Sequence, residues 1–273
     1  MLMSIIAILS FLAAAVYGFA AALPAAQFWK CALIFVLGVP VLTALYVLFA
    51  ALVSLFVDTT VPRKKQSAVC RGFASGGGDI CCFYARVRTH VSGAEKLPEN
   101  ERFLLVANHR SGFDPLTLLH SLKSANLAFI SKPSNMKLPV VGRIAYGDCF
   151  LPIDRENDRE ALKTILCAAD YLKRGLCSIC IYPEGTRSKT RELLPFHHGS
   201  FKIAQRAGAP LVIAAVSGTD LVKKNFPLRP TDVYIDILEV IPAEETHAMT
   251  TAALSERARG AIAAALEKRE GKA

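Results

Sequence analysis

The sequence predicts an α/β domain, a mixed and largely parallel sheet flanked by helices, preceded by an N-terminal hydrophobic helical membrane anchor. Three observations carry this. The chain opens on two long uncharged apolar runs, short β-branched and aromatic runs alternate with helical patterns from residue 83 onward, and polar loops succeed the apolar strands.

The anchor comes first. Residues 1–29 contain no Asp, Glu, Lys or Arg; after a lone Lys30 the uncharged run resumes at Cys31 and continues to Val57. A helix needs about 20 apolar residues to cross a hydrocarbon core of about 30 Å, so residues 1–62 are expected to form two transmembrane helices. Pro24 disfavours helix continuation, and Phe28, Trp29 and Lys30 suit a membrane interface, which places the connection at 23–30. Gly38 and Pro40 are expected to kink the second span. Arg63, Lys64 and Lys65 outweigh Lys30 and direct the chain beyond residue 63 to the cytoplasm. A cleaved secretory signal is the alternative for the first span, but no cation precedes its apolar core.

Residues 63–82 read as a basic and Gly-rich linker, because Gly76, Gly77 and Gly78 stand together inside the run 72–79. That run lacks the spacing and the Lys of a phosphate-cradling loop. Residues 83–273 then form the globular domain. Strands are expected at 83–91 and 103–107, and Asp114 with Pro115 opens a helix that runs to Leu122. Further strands are expected at 127–131 and 149–153. An amphipathic helix over 157–174 presents Leu162, Ile165, Leu166, Ala169 and Leu172 and stops at Gly175. Strands at 177–182, 211–216 and 233–240 enclose a helix near 201–207. A last helix over 250–268 packs through Leu254, Ala258, Ile262 and Leu266, with a peripheral membrane contact as its alternative reading.

The net charge is +9, from 32 Lys plus Arg against 23 Asp plus Glu. This suits anionic lipid headgroups, an acidic carrier or a phosphate-bearing substrate. No nucleic-acid motif is present, so no nucleic-acid partner is expected. Of the eight cysteines, Cys177 and Cys180 form a CxxC, but inside an expected buried strand and without a second pair, so no metal site is expected.

Three loops carry the chemistry. Asn108, His109, Arg110, Ser111, Gly112, Phe113 and Asp114 come after an apolar strand, the position where α/β sites form. Gly112 lets the chain fold back so that the Asp114 carboxylate meets the His109 imidazole and raises its basicity. A helix cap is the ordinary alternative for Asp114. Glu184, Gly185, Thr186, Arg187 and Ser188 come after a second strand and offer guanidinium and hydroxyl donors for phosphate, against the alternative of a Glu184–Arg187 pair in a plain polar loop. Arg155, after a third strand, is another phosphate candidate.

In this order, across residues 91–219, the three loops resemble the glycerolipid acyltransferase superfamily, and within it most closely the 1-acylglycerol-3-phosphate acyltransferases of bacterial type. The resemblance implies that His109 and Asp114 are catalytic, matching NHxxxxD. It implies that Arg155 and Glu184, Gly185, Thr186, Arg187 and Ser188 bind the acceptor, with Lys132 adding charge nearby. Gly142, Gly147, Leu194, Pro195, Phe196 and Gly199 become framework positions. A fatty acyl group would move from acyl-CoA or acyl carrier protein to the free sn-2 hydroxyl of 1-acylglycerol-3-phosphate, making phosphatidic acid without a further cofactor, at a bacterial inner membrane with the domain facing the cytoplasm. Partners would be membrane lipids, the lysophospholipid acceptor and the acyl donor. The alternatives are another lysolipid acceptor, such as a lyso-ornithine lipid, and a non-catalytic lipid-binding scaffold. The chain departs from the family at Ile213, where a proline often stands in the fourth block, and at His197 and His198, where lysines often stand. Without a GxSxG elbow a serine hydrolase is a poor second enzyme class.

Overall fold

A computed structural model describes residues 1–60, 63–188 and 190–271. Val61 and Pro62, the last residues of the expected anchor, lie outside the described residues. The chain divides into two compact units, Met1–Val57 and Asp58–Ala273.

The first unit is a helical pair, α1 (Leu2–Ala20) and α2 (Trp29–Ser54). Their apolar windows have mean hydropathies of 2.2 and 2.5, and both helices are long enough to cross a bilayer. Small residues let the two backbones approach: Ser10 Oγ donates to the Phe35 carbonyl at 2.7 Å, and a Cβ on Gly38 would meet that Oγ at 2.1 Å. Gly38, expected as a kink, therefore serves close packing. The outer faces expose Ile8, Phe11, Val16, Val36, Leu45 and Leu48. A helix pair that is apolar on its solvent-facing side is consistent with membrane association. Trp29 and Lys30 form the first turn of α2 rather than the connection before it.

The second unit is built on one sheet. Its strands are β1 (Val87–Ser92), β2 (Leu104–Ala107), β3 (Leu127–Ser131), β4 (Leu151–Pro152), β5 (Ser178–Ile181), β6 (Leu211–Ser217) and β7 (Thr231–Ile241). They lie in the order β1-β7-β6-β2-β5-β3-β4, and every neighbouring pair is parallel except β6 with β7. The expected mixed, largely parallel sheet is what forms. Strands β2, β5 and β6 are buried along their whole length, as strands covered on both faces must be.

Helices cover both faces: α3 (Ala68–Tyr84), α4 (Asp114–Ser121), the single turn α5 (Pro133–Met136), α6 (Val141–Gly147), α7 (Asp158–Lys173), α8 (Lys202–Ala207), α9 (Val222–Asn225), α10 (Ala243–Ala248) and α11 (Thr251–Glu270). Leu104, Val106, Ile179, Leu211 and Ile213 form one core with α7, α8 and α11; Leu105, Ala107, Cys180, Val212 and Ala214 form the other with Leu118 and Leu119 of α4. All four expected core residues of α11, Leu254, Ala258, Ile262 and Leu266, are buried. On α7 the buried stripe is Ile165, Ala168, Ala169 and Leu172, while Leu162 and Leu166 are exposed. The two small residues Ala168 and Ala169 let this face sit close to the sheet, which turns the bulkier leucines outward.

The strand expected at 149–153 shortens to Leu151–Pro152. It is an edge strand paired only with β3, where Pro152 has no ladder amide to lose.

The expected linker is corrected most. Residues 68–84, glycines included, are helix α3, capped by Ser67 Oγ accepting from the Cys70 amide, and the strand expected from residue 83 begins only at Val87. A glycine run disfavours an isolated helix by about 1 kcal/mol per residue relative to Ala, so local propensity points to a flexible break. Packing overrides it. A Cβ on Gly78 would stand 2.8 Å from the Leu116 carbonyl oxygen and 3.1 Å from the His120 amide of α4. Buried Asp79 ties the same helices together, accepting from His120 Nδ1 at 2.7 Å and Lys123 Nζ at 2.6 Å. Replacing Gly78 by Ala is thus expected to lower unfolding free energy by about 1–3 kcal/mol through overpacking. Gly77→Ala, with nothing within 4 Å of the added Cβ, should be neutral or stabilising by about 0.5–1 kcal/mol. Denaturant melts of the two variants check the pair.

Asp148, at the end of α6, is fully buried and accepts from Gln66 Nε2 at 2.9 Å and from Arg71 at 3.4 Å. Burial pushes its carboxyl up to about 7, opposed by the Arg71 charge. Because the folded value lies above the unfolded one of about 3.9, the group favours folding fully below about pH 4, and that contribution is lost as pH rises through about 7. Asp148→Asn cannot ionise. Its melting temperature relative to the native chain is expected to improve as pH rises from about 4 to about 7 and to level off above that; a difference independent of pH would contradict this.

Candidate active site

Strand β2 ends at Ala107, and the next side chain fastens it to β6. Asn108 Nδ2 donates to the Val216 carbonyl and Oδ1 accepts from the Val216 amide, both at 2.8 Å. His109 leaves from this fixed point.

The loop 110–113 then folds back around one carboxylate. Asp114 Oδ2 accepts from His109 Nδ1 at 2.7 Å, from the Arg110 amide at 2.8 Å and from the Ser111 amide at 2.9 Å. Asp114 Oδ1 accepts from Thr219 Oγ1. The carboxylate is wholly buried. Asp114 is the first residue of α4, yet its side chain takes the amides that precede the helix, so it closes the loop instead of capping α4. Gly112 is absent from the left-handed positions of the backbone. The fold-back is held by the two amide bonds to Asp114, not by glycine freedom.

His109 lies over Tyr182, the rings stacked 4.2 Å apart and 12° from parallel. Burial pushes the Tyr182 phenol well above its usual range, so the plate under the imidazole stays uncharged. With Nδ1 held by Asp114, the imidazole is 18% exposed and Nε2 has no hydrogen bond among the described residues. An imidazole fixed in this way can take a proton at Nε2 from a hydroxyl while the carboxylate stabilises the cation that forms.

The 184–188 loop braces the same turn. Glu184 Oε1 accepts from the His109 amide at 2.6 Å and Oε2 from the Leu194 amide at 3.0 Å, while the Ser188 amide donates to the His109 carbonyl at 2.9 Å. Both carboxylate oxygens of buried Glu184 are thereby committed, and burial raises its carboxyl above the ordinary range. Glu184, expected among ligand-binding groups, holds the histidine backbone in place, and neither a Glu184–Arg187 pair nor a plain polar loop describes it. Gly185 has φ +74°, and a Cβ there would meet His197 Nε2 at 2.9 Å and Arg155 Cδ at 3.6 Å. Arg155 therefore reaches over this turn. Arg187 NH1 comes within 3.7 Å of a Cβ built on Gly112. Thr186, Arg187, Arg155 and Lys132 are exposed and open to a ligand, whereas Ser188 is buried.

Topology explains the meeting of residues so distant in sequence. Strands β2, β3, β4, β5 and β6 run parallel, so His109, Lys132, Arg155, Glu184–Ser188 and Thr219, each placed after one of them, share the carboxyl edge of the sheet. Of the expected framework positions, Gly142 and Gly147 are buried in α6, and a Cβ on Gly142 would stand 2.1 Å from the Met136 carbonyl oxygen. Phe196 is buried as well, and Leu194 carries the amide that Glu184 holds.

One cation near the dyad, Arg191, was not expected. Arg110 donates to the Arg191 carbonyl at 2.7 Å, Arg191 pairs with Asp220 at 2.6 Å, and both line a cleft of about 350 Å³ with Leu193, Ala263, Leu266 and Glu267. Thr219 and Tyr182 were missed too. Nothing near Thr219 in the chain marks it as a partner of a residue 105 positions earlier; Tyr182, next to the 184–188 loop, could have been suspected from its place at a strand end.

Residues 88–217 match the family model described as Acyltransferase. The 1-acyl-sn-glycerol-3-phosphate acyltransferase of Salmonella typhimurium is 34% identical over 116 residues, 42% of this chain and 47% of that protein. A 1-acyl-sn-glycerol-3-phosphate acyltransferase of Chlamydomonas reinhardtii is 31% identical over 180 residues, 64% of this chain and 52% of that protein. The chain spans about half the length of these curated relatives. The crystal structure of the 1-acyl-sn-glycerophosphate (LPA) acyltransferase PlsC from Thermotoga maritima superposes with a TM-score of 0.57 at 23% identity, covering 79% of this chain and 88% of that one, which marks a shared fold.

Proposed function

We propose that this chain, whose residues 88–217 match the acyltransferase family model, moves a fatty acyl group from acyl-CoA or acyl carrier protein to the sn-2 hydroxyl of 1-acylglycerol-3-phosphate, producing phosphatidic acid. The observation that carries this is the His109 imidazole, bonded to buried Asp114 through Nδ1 and free at Nε2 among the described residues. Nε2 removes the proton of the acceptor hydroxyl as its oxygen attacks the thioester carbonyl. The tetrahedral intermediate expels the donor thiolate, which takes that proton back from the imidazolium. No covalent acyl-enzyme and no metal take part. Arg187 and Arg155 hold the acceptor phosphate, with Lys132 adding charge at the same sheet edge; guanidinium groups suit a phosphate through paired donors. The chain works at a bacterial inner membrane, its N-terminal helices in the bilayer and the 58–273 unit facing the cytoplasm, where Arg63, Lys64 and Lys65 favour that orientation.

The test is acyl transfer by the full chain in detergent micelles, offered acyl-CoA or acyl carrier protein donors with lysophosphatidic acid, lyso-ornithine lipid and lysophospholipids of larger headgroup. The expected result is phosphatidic acid formed fastest. Preference for another lysolipid would move the substrate and keep the chemistry; no transfer with any pair would favour a lipid-binding scaffold.

A further inference from the structure

Two turns meet at the sheet edge that carries His109 and take no part in the site. After β6 the chain passes Gly218 and α9 and turns through Phe226, Pro227, Leu228 and Arg229 before β7; α3 ends at Tyr84 and turns through Arg86 into β1. Because β1 lies parallel to β7 with Val87 opposite Thr231, the turns are neighbours. Arg86 NH1 donates to the Leu228 carbonyl at 2.7 Å, and the Thr231 amide donates to the Arg86 carbonyl at 3.1 Å. Since β7 runs antiparallel to β6, its first residues stand at the carboxyl end of β6, the edge of Thr219 and the dyad.

The chemistry of these turns is unusual for a water-facing surface. Leu228 is 81% exposed and Phe226 54%, and Phe83 and Tyr84 are exposed in the last turn of α3. Around them Arg86, Lys223, Lys224 and Arg229 are exposed, and none has a carboxylate partner among the described residues. Segments 81–87 and 221–230 contain no Asp or Glu. Projecting apolar side chains ringed by cations without carboxylate partners match the interface of an anionic bilayer, where the apolar tips enter the acyl boundary and the cations meet lipid phosphates.

We infer that the Phe226–Arg229 turn, with Arg86 and the end of α3, is a second membrane contact that docks the carboxyl edge of the sheet onto anionic lipid. A bilayer fits better than a protein partner because the apolar side chains project from a turn instead of lining a groove, and because the helical pair of residues 1–57 is consistent with membrane association. The inference does not depend on which acceptor is acylated.

The test uses the full chain carrying Trp29→Phe, so that a Trp introduced by Leu228→Trp is the sole reporter, in nanodiscs of phosphatidylglycerol brominated near the headgroup. Glu101→Trp in the same background reports from the opposite edge, ahead of β2. The Leu228→Trp emission is expected to shift to the blue and be quenched while the Glu101→Trp emission is not. Adding Lys223→Glu, Lys224→Glu and Arg229→Glu should weaken the quenching about fivefold or more. Equal quenching at the two positions, or quenching unchanged by charge reversal and in phosphatidylcholine, overturns the inference. A blue shift seen only when acyl carrier protein is added overturns it in favour of a protein-binding site. Acyl transfer is not the readout, so a failed activity assay leaves this outcome readable.

Discussion

His109→Ala is expected to lower kcat for acyl transfer by about 10²–10⁴-fold, the usual contribution of a positioned general base, with little change in melting temperature. The small stability effect stems from the surroundings. The imidazole is part-exposed, and the backbone of the turn stays held by Glu184 and the Ser188 amide, neither of which needs the ring. Lysolipid binding should survive, since the phosphate donors lie on other loops. Single-turnover rates with saturating donor, measured beside an acceptor-binding assay, check both halves. A variant that keeps the native rate would remove His109 from the chemistry.

Asp114 is expected to behave differently according to what replaces it. Its two oxygens face different demands: Oδ2 accepts from three donors, Oδ1 from the Thr219 hydroxyl alone. In Asp114→Asn the amide oxygen can take the crowded side and the NH₂ can donate to Thr219, whose hydroxyl also accepts. The fold should then persist while the negative charge behind the imidazolium is gone, with kcat lower by about 10³–10⁴-fold. Asp114→Ala leaves buried donors without a partner, at about 1–3 kcal/mol each, so this variant should lose stability together with activity. Thermal melts and rates for the two variants separate charge from structure; an alanine variant as stable as the asparagine one would contradict the buried network.

Much of the site was legible because its residues stand at strand ends. An apolar run leading into NHRSGFD announces both a strand and what its carboxyl end presents, and the same holds for the run before Glu184. Contacts were less legible than positions. Glu184 looks like a ligand-facing carboxylate in a polar loop, yet both its oxygens serve backbone amides. Gly112 looks like the hinge that brings His109 to Asp114, although the Arg110 and Ser111 amides draw the loop closed.

Periodic features could be read from the order of the residues. The apolar helices at the N-terminus, the buried strands, the stripe of α11 and the succession of the three loops all depend on side-chain spacing, which is a local property. Other features needed contacts between distant segments. Only packing against α4 turns the run of Gly76, Gly77 and Gly78 from a flexible break into helix α3, because a missing Cβ costs propensity locally but permits close approach to a neighbour the chain reaches 38 residues later at Leu116. Only the parallel pairing of β6 with β2 brings Thr219 onto Asp114 and Asn108 onto Val216. Such contacts depend on which strands become neighbours, and no spacing within either segment encodes that.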